Sequence, residues 1–195
     1  MVNWSPGRIV LVVVTLLAAG ALVGGCGLGV PDDGCTKRDE CPAGEAPAGG
    51  RPTRIAIDHN EFEAKHIGHT ADGRQFFLTT PFDPGTDGAD DGGEFVALYL
   101  FDRDGRFLEA KIDAFGSREQ MDSAAAEAMY DTRLKDLGKV TFDRIEIEPF
   151  AVERFGTTFG LIVHEPDEDG TWWVTAEPGD YMAFSEPWDL GEYDT

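Results

Sequence analysis

The chain has 195 residues, with 37 acidic against 16 basic side chains and a formal net charge of −21. A surface this acidic repels polyanions, so we exclude nucleic acid as a partner. Cations and basic partners are favoured electrostatically, although an acidic surface that only keeps the protein soluble explains the same charge.

The amino-terminal segment has the pattern of a secretory signal. Residues 1–8 carry one charged side chain, Arg8, and residues 9–23 are apolar apart from one threonine and one glycine. The apolar region of a signal usually has about 7 to 15 residues, whereas a membrane-spanning helix needs about 20. The length therefore favours a signal, with an uncleaved signal anchor as the alternative.

The signal ends in the small residues Val23-Gly24-Gly25, followed by Cys26. In this respect residues 1–26 resemble a bacterial lipoprotein precursor, and the resemblance stops there. It implies that residues 1–25 are removed as a signal peptide and that the sulfur of Cys26 carries lipid. The lipid would anchor the chain in the bacterial cell membrane or outer membrane, with its domain facing outside the cytoplasm.

Residues 26–53 are rich in glycine, proline and charge and lack hydrophobic periodicity, which is typical of a tether. Cys35 and Cys41 lie within it. In an oxidising compartment a pair of this kind is expected to form a disulfide, which would close a small loop. A thiol metal site is the alternative, but further cysteines and a nearby histidine are missing.

Apolar runs predict about seven strands from residue 54 onward. Residues 94–101, EFVALYLF, are almost wholly apolar, which is typical of a central strand covered on both faces. An Asp-Gly turn follows, and Leu108, Ala110 and Ile112 then alternate with charged residues, so we expect a hairpin.

One segment, from about residue 118 to 137, has the pattern of a helix. Ser117 and Gln120 form a capping-box pattern at its start, and Gly138 stands where a C-cap glycine belongs. Its apolar residues predict two faces, one of Met121, Ala125 and Ala128 and one of Tyr130, Leu134 and Leu137.

Two further strand regions follow the helix. The segment 139–150 alternates Val140 with Phe142 and then slips to Ile145 and Ile147, which predicts a bulge near residues 143–144. The segments TTFGLIVHE and TWWVTA, joined by DEDG, predict a second hairpin. We therefore expect residues 54–195 to form a single α+β domain, mainly antiparallel sheet with one helix packed on it.

The loop DPGTDGADDGGE, residues 83–94, matches several positions of an EF-hand loop. In that register Asp83, Asp87, Asp91 and Glu94 fall at ligand positions, which predicts a calcium site. Gly85 replaces the usual acidic residue at position 3, and the flanks read as strands. A solvated acidic hairpin loop is the alternative.

Two weaker patterns suggest other ligands. His66 and His69 lie three residues apart and would share a metal on one helical turn, although polar loop residues explain them equally well. Aromatic residues cluster near the carboxyl terminus, where Trp172, Trp173 and Trp188 are candidates for stacking on a ligand. Filling of the core is the alternative explanation for these tryptophans.

No G-x-S-x-G elbow or phosphate-binding glycine loop is present. The sequence therefore favours a non-enzymatic surface lipoprotein with a binding or structural domain. One version is an immunity-type protein that neutralises a basic partner; another binds an envelope component. A calcium-binding envelope protein and an enzyme with an unfamiliar site are the other hypotheses.

Overall fold

The structure, a computed structural model, describes residues 50–85 and 92–195. In this part of the chain it is mainly antiparallel β-sheet with a single α-helix. The elements in chain order are β1 (Ile55–Ile57), β2 (His66–Thr70), β3 (Gln75–Thr79), β4 (Phe82–Asp83), β5 (Gly93–Phe101), β6 (Phe107–Ala114), α1 (Ser123–Asp136), β7 (Val140–Phe142), β8 (Ile145–Ile147), β9 (Phe150–Arg154), β10 (Thr157–Val163), β11 (Val174–Glu177) and β12 (Ala183–Phe184).

The largest sheet has the spatial order β6-β5-β3-β2-β7, and β4 pairs with the first two residues of β5. The apolar strand β5 is central, as its sequence predicts, because β3 and β6 pair with it on opposite edges. The strand β2, HIGHT, lies outside the predicted elements. A glycine, a threonine and two histidines give this segment a weak strand pattern. It nevertheless pairs with both β3 and β7.

A second sheet has the order β12-β11-β10-β9, and β1 pairs separately with β8. The main core fills the space between these strands and one face of the large sheet. Phe159 and Tyr99 are almost fully buried there, and the ring of Phe159 meets that of Phe95 edge to face at 4.9 Å. Each such side chain contributes about 1.5–3 kcal/mol by its burial.

The helix α1 covers the other face of the large sheet, over a smaller cluster of five buried residues on β3 and β5. It begins later than predicted, because Asp122 is the N-cap and its side chain accepts a hydrogen bond from the amide of Ala125. Ser117 instead belongs to a preceding turn, in which its carbonyl accepts from Gln120. Gly138 follows the helix with a φ of 73°, as the sequence predicts.

Only one of the two predicted helix faces packs on the sheet. Tyr130, Leu134 and Leu137 contact the buried cluster, together with Met129. Ala125 and Ala128 are exposed, so the prediction for their face was wrong. The helix pattern alone does not show which of two moderately apolar stripes meets the sheet.

Two strand predictions are also corrected. The slip after Phe142 is a change of sheet rather than a bulge, because β7 pairs with β2 whereas β8 pairs with β1. The hairpin β5–β6 forms, but its register shifts near its turn and leaves Leu108 unpaired and 51% exposed. Ala110 and Ile112 pack on the core as predicted.

Candidate functional site

A pocket of about 430 Å³ lies between α1 and the large sheet. Val96 of β5 and Ala126 of α1 contribute apolar surface to it, and His66 of β2 and Tyr130 of α1 contribute polar atoms. Its other lining residues are Lys65, Thr80, Glu94, Phe95, Met121 and Glu127. A concave, largely apolar space with a few convergent polar groups is the usual form of a ligand site. We therefore treat this helix pocket as the candidate site.

His66 and Tyr130 form the polar centre of the helix pocket. The Tyr130 hydroxyl lies 2.5 Å from Nδ1 of His66 and 3.4 Å from the carbonyl oxygen of Leu78. The carbonyl oxygen of Leu78 only accepts, so the Tyr130 hydroxyl is the donor in the longer contact. Which group donates in the shorter contact depends on which imidazole nitrogen carries the hydrogen. The ring of Phe142 packs beside the imidazole at a centroid distance of 5.2 Å.

The environment keeps both groups neutral near pH 7. Burial lowers the pKa of His66 below its ordinary value of 6.5, and the neighbouring charge of Lys65 lowers it further. Burial raises the pKa of Tyr130 to about 12. Perturbed groups that converge on a cleft are typical of functional sites, although packing alone also perturbs them. The pair therefore offers a ligand hydrogen bonds without a charge.

The rim of the helix pocket carries charge. Glu94 accepts a hydrogen bond of 2.5 Å from Arg118, whose guanidinium also lies 4.2 Å from the centre of the Phe82 ring. Glu127 and Lys65 complete the charged part of the lining. A ligand in this pocket would thus place its apolar part against the sheet and its polar part at the rim.

Side chains with hydroxyl groups lie in the helix pocket and on the second sheet. Within the helix pocket Thr80 has the one hydroxyl besides that of Tyr130, and no base within the described residues is bonded to it. A second polar chain lies on β10 and β11, where His164 Nε2 is 2.7 Å from the Thr175 hydroxyl, which donates to Glu177. Because the Thr175 hydroxyl donates its hydrogen to Glu177, it accepts the hydrogen bond from His164. His164 is therefore not placed as a base toward this hydroxyl.

The structure separates the two described carboxylates of the predicted calcium loop. Phe82 pairs with Glu94 and Asp83 with Gly93, so Glu94 and Asp83 lie on opposite faces of the ladder. Glu94 contacts Arg118, whereas Asp83 accepts from Thr157 of the second sheet. Asp87 and Asp91 lie outside the described residues. Among residues 50–85 and 92–195, no group of three or more metal-binding side chains is present.

His66 and His69 do not meet either. They lie on a strand rather than a helical turn, and an odd spacing of three places them on opposite faces. His66 faces α1, whereas His69 lies 2.7 Å from a carboxylate oxygen of Asp143. A metal shared between them is therefore excluded by this strand geometry.

The three candidate tryptophans occupy different surroundings. Trp173 stacks on His164 with a centroid distance of 5.4 Å, and Trp172 precedes it outside a strand. Trp188 packs against the main core, and its backbone carbonyl accepts from Ala56 of β1. Trp173 therefore already has an aromatic partner within the protein, and Trp188 belongs to the core packing that the alternative explanation expects.

The predicted lipidation residue Cys26 and the predicted disulfide cysteines Cys35 and Cys41 lie outside the described residues. Within the part that the structure describes, no helix is long and apolar enough to cross a membrane. The predicted anchor therefore depends on the sequence pattern of residues 1–26.

No protein-family model matches the sequence, and comparisons with curated proteins and with solved structures found no match. The helix pocket itself was missed by sequence reasoning. The sequence pattern places Tyr130 on an apolar helix face and suggests His69 as the partner of His66, whereas in the structure His66 and Tyr130 contact each other. The available signal is a tyrosine on the same helix stripe as Leu134 and Leu137, because its hydroxyl needs a partner when it is covered.

Proposed function

We propose that this protein is a lipid-anchored, extracytoplasmic binding protein that holds a small amphiphilic ligand in the helix pocket. The proposed anchor is lipid on Cys26, and residues 26–53 would hold the domain away from the membrane. The proposed role is non-enzymatic. The observation that carries the binding role is the hydrogen-bonded pair of His66 and Tyr130 inside a pocket of about 430 Å³.

The lining suggests the chemistry of the ligand. Val96, Met121 and Ala126 offer an apolar surface, and Nε2 of a neutral His66 offers one hydrogen-bonding atom. A molecule with an apolar body and one hydrogen-bonding group matches this arrangement. The side chains of α1 that pack on the large sheet are only half-buried. A ligand that enters the pocket would therefore displace few buried contacts.

Binding is tested with a substitution in α1 whose larger side chain fills the helix pocket. We would titrate the full chain in detergent with 1-naphthol by isothermal calorimetry and subtract a titration of empty micelles. Ala126→Leu places extra methyl groups in the pocket, whereas Ala125→Leu makes the same change on the exposed side of α1. We expect Ala126→Leu to weaken saturable binding at least tenfold and Ala125→Leu to leave it within about twofold. Equal affinities in both variants would contradict the pocket.

The anchor is tested separately. In a bacterial host, the wild-type chain is expected to fractionate with membranes at the mass of residues 26–195 plus lipid. The variant Cys26→Ser is expected to lose the lipid mass and to keep residues 1–25. If the variant is processed and retained like the wild type, the lipoprotein proposal fails while the helix pocket stands.

We also infer that residues 54–195 form one α+β domain. In support, α1 and the second sheet pack on opposite faces of the same strands, β3 and β5. Strands shared by two hydrophobic layers favour cooperative unfolding. Calorimetry of the full chain is expected to show a single transition for this region, and two separate transitions would divide it.

Calcium binding by residues 83–94 and capture of a basic protein or envelope component stay predictions. A thermal melt of the full chain with calcium and then with EDTA tests the first. A ligand at about 100 times its Kd adds about 2.7 kcal/mol, a shift of several degrees. Loss of that rise in Asp83→Ala and Glu94→Ala would assign it to the loop.

A further inference from the structure

A second pocket of about 270 Å³ lies at one end of the large sheet and gathers basic side chains in an acidic protein. We call it the arginine pocket. Its lining residues are Arg54, His69, Gln75, Arg103, Arg144 and Glu146. They come from the segment before β1, from β2, β3 and β8, from the β5–β6 turn and from the link between β7 and β8. Folding alone brings these positions together.

Two of the three arginines are held by neutral groups. Arg54 donates from Nη2 to the backbone carbonyl of Asp104 at 2.5 Å. Arg103 donates from Nε and Nη2 to the backbone carbonyl of Asp72, at 2.9 and 2.6 Å. Neither guanidinium forms an ion pair with a carboxylate of the described residues. A carbonyl orients a guanidinium but leaves its positive charge uncompensated.

The third arginine is partly neutralised, and the histidine has a carboxylate partner. Arg144 donates from Nη2 to the backbone carbonyl of Asp189 at 2.5 Å and lies 3.2 Å from a carboxylate oxygen of Asp58. Its Nε is 3.6 Å from Glu146. His69 contacts Asp143 at 2.7 Å. The pocket therefore keeps a positive excess that centres on Arg54 and Arg103.

The elements around the arginine pocket pack closely. Gly105, in the β5–β6 turn, approaches β8 so closely that a Cβ there would lie 2.1 Å from the carbonyl oxygen of Glu146. A Cβ at Gly73 would lie 2.9 Å from Nε of Arg103. Gln75 is 4% exposed and accepts at 2.7 Å from the amide of Glu146, while its Nε2 makes one long contact of 3.4 Å. Its amide nitrogen thus retains hydrogen-bonding capacity.

We propose that the arginine pocket binds a phosphate group, either as the free ion or esterified to a small organic molecule. Forked guanidinium groups match the oxygens of phosphate and carboxylate alike. Arg54, Arg103 and Arg144 approach from different elements, and a tetrahedral dianion presents acceptors in more directions than a planar carboxylate. The same three groups would each donate to a different oxygen.

The overall charge of −21 does not prevent this binding. Exposed charges more than about 8 Å from an ion are largely screened at physiological ionic strength. The uncompensated guanidiniums line the pocket itself, so they dominate the local field. The global charge repels extended polyanions such as nucleic acid, whereas a small anion meets the local arrangement.

The proposal is independent of the helix pocket and has its own test. We would titrate the full chain in detergent with inorganic phosphate and with glycerol 3-phosphate by isothermal calorimetry, at an ionic strength held constant with sodium chloride. Saturable binding of at least one probe is expected. Tighter binding of phosphate identifies the free ion as the ligand, and tighter binding of glycerol 3-phosphate identifies an esterified group.

Three variants separate a site from general electrostatics. Arg103→Gln and Arg54→Gln each remove one guanidinium from the pocket, and each is expected to weaken binding at least tenfold. Arg106→Gln removes the same charge from the same turn, but Arg106 is 61% exposed and pairs with Asp104 and Glu148 outside the pocket. It is expected to change the Kd by less than about twofold.

Thermal melts without anion show whether each variant folds, and Arg54→Gln serves if Arg103→Gln does not. Failure of both probes to bind the wild-type chain saturably would overturn the proposal. Equal weakening by Arg54→Gln and the control Arg106→Gln would also overturn it, because the effect would then reflect net charge alone.

Discussion

The two pockets lie on opposite faces of the same strand, β2, and differ in chemistry. His66 faces α1 and lines an apolar space of about 430 Å³, whereas His69 faces the other way and lines a space of about 270 Å³ with three arginines. The strand period of two places side chains three positions apart on different faces. One short strand therefore contributes a histidine to each of two unrelated environments.

The layers behind the two pockets explain the difference. On the face that meets the second sheet, aromatic and aliphatic side chains form the main buried core, and the arginines lie at the open end of the sheet. On the helix face, no residue of α1 is fully buried, so room remains between helix and sheet. The helix side of the large sheet therefore has an apolar pocket, whereas the side that meets the second sheet has a charged pocket at its end.

The largest expected effect tests this contrast in packing. Phe159→Ala empties space in the fully packed core and is expected to lower the free energy of unfolding by about 3–5 kcal/mol. Leu134→Ala, on the half-buried face of α1, is expected to cost less than about 2 kcal/mol because part of that side chain is already in water. Urea denaturation of both variants measures the difference. Equal losses would mean that the helix layer is packed as tightly as the main core.

A second effect concerns what holds α1 on its sheet. Arg133 forms two hydrogen bonds of 2.8 Å to the carboxylate of Asp113 on β6, and both side chains are largely buried. Arg133→Ala is expected to cost about 1.5–3 kcal/mol, because it leaves a partly buried carboxylate without its partner. Lys135→Ala, at an exposed position of the same helix, is the matched control in the same denaturation experiment. A loss no larger than the control's would show that the pair contributes nothing.

A third effect depends on pH. The pKa of His66 is lowered in the folded chain, so the unfolded chain takes up its proton at higher pH. Stability that is present above pH 6.5 is therefore lost as the pH falls below that value. His66→Gln is expected to make the melting temperature fall less between about pH 7 and about pH 5. Tyr130→Phe should keep the steeper fall, because burial is the main cause of the shift; a flat profile in that variant would make the hydrogen bond the cause instead.

The smallest expected effect lies at the rim of the helix pocket. Arg118 is 68% exposed, so its ion pair with Glu94 is screened by solvent. Glu94→Gln is expected to change the free energy of unfolding by less than about 1 kcal/mol. The same denaturation measurement checks it. A loss comparable to that of Arg133→Ala would place the rim among the structural parts of the helix layer.

Part of this architecture follows from local sequence. The apolar run of β5 predicts a central strand because only a strand covered on both faces has no need for polar alternation. The turn residues predict both the β5–β6 and β10–β11 hairpins, and Gly138 marks the helix end because its φ of 73° suits glycine. The signal and anchor are likewise predictions from the local pattern of residues 1–26.

The rest was decided by tertiary structure. The strand β2 forms because two neighbours pair with it, although its own residues show weak strand propensity. The face of α1 that meets the sheet depends on what the sheet presents, and the arginine pocket gathers residues separated by up to 92 positions, from Arg54 to Glu146. Local sequence encodes turns, caps and continuous burial, because these depend on neighbouring residues. Side chains that meet across layers depend on strand order and register, which no single segment contains.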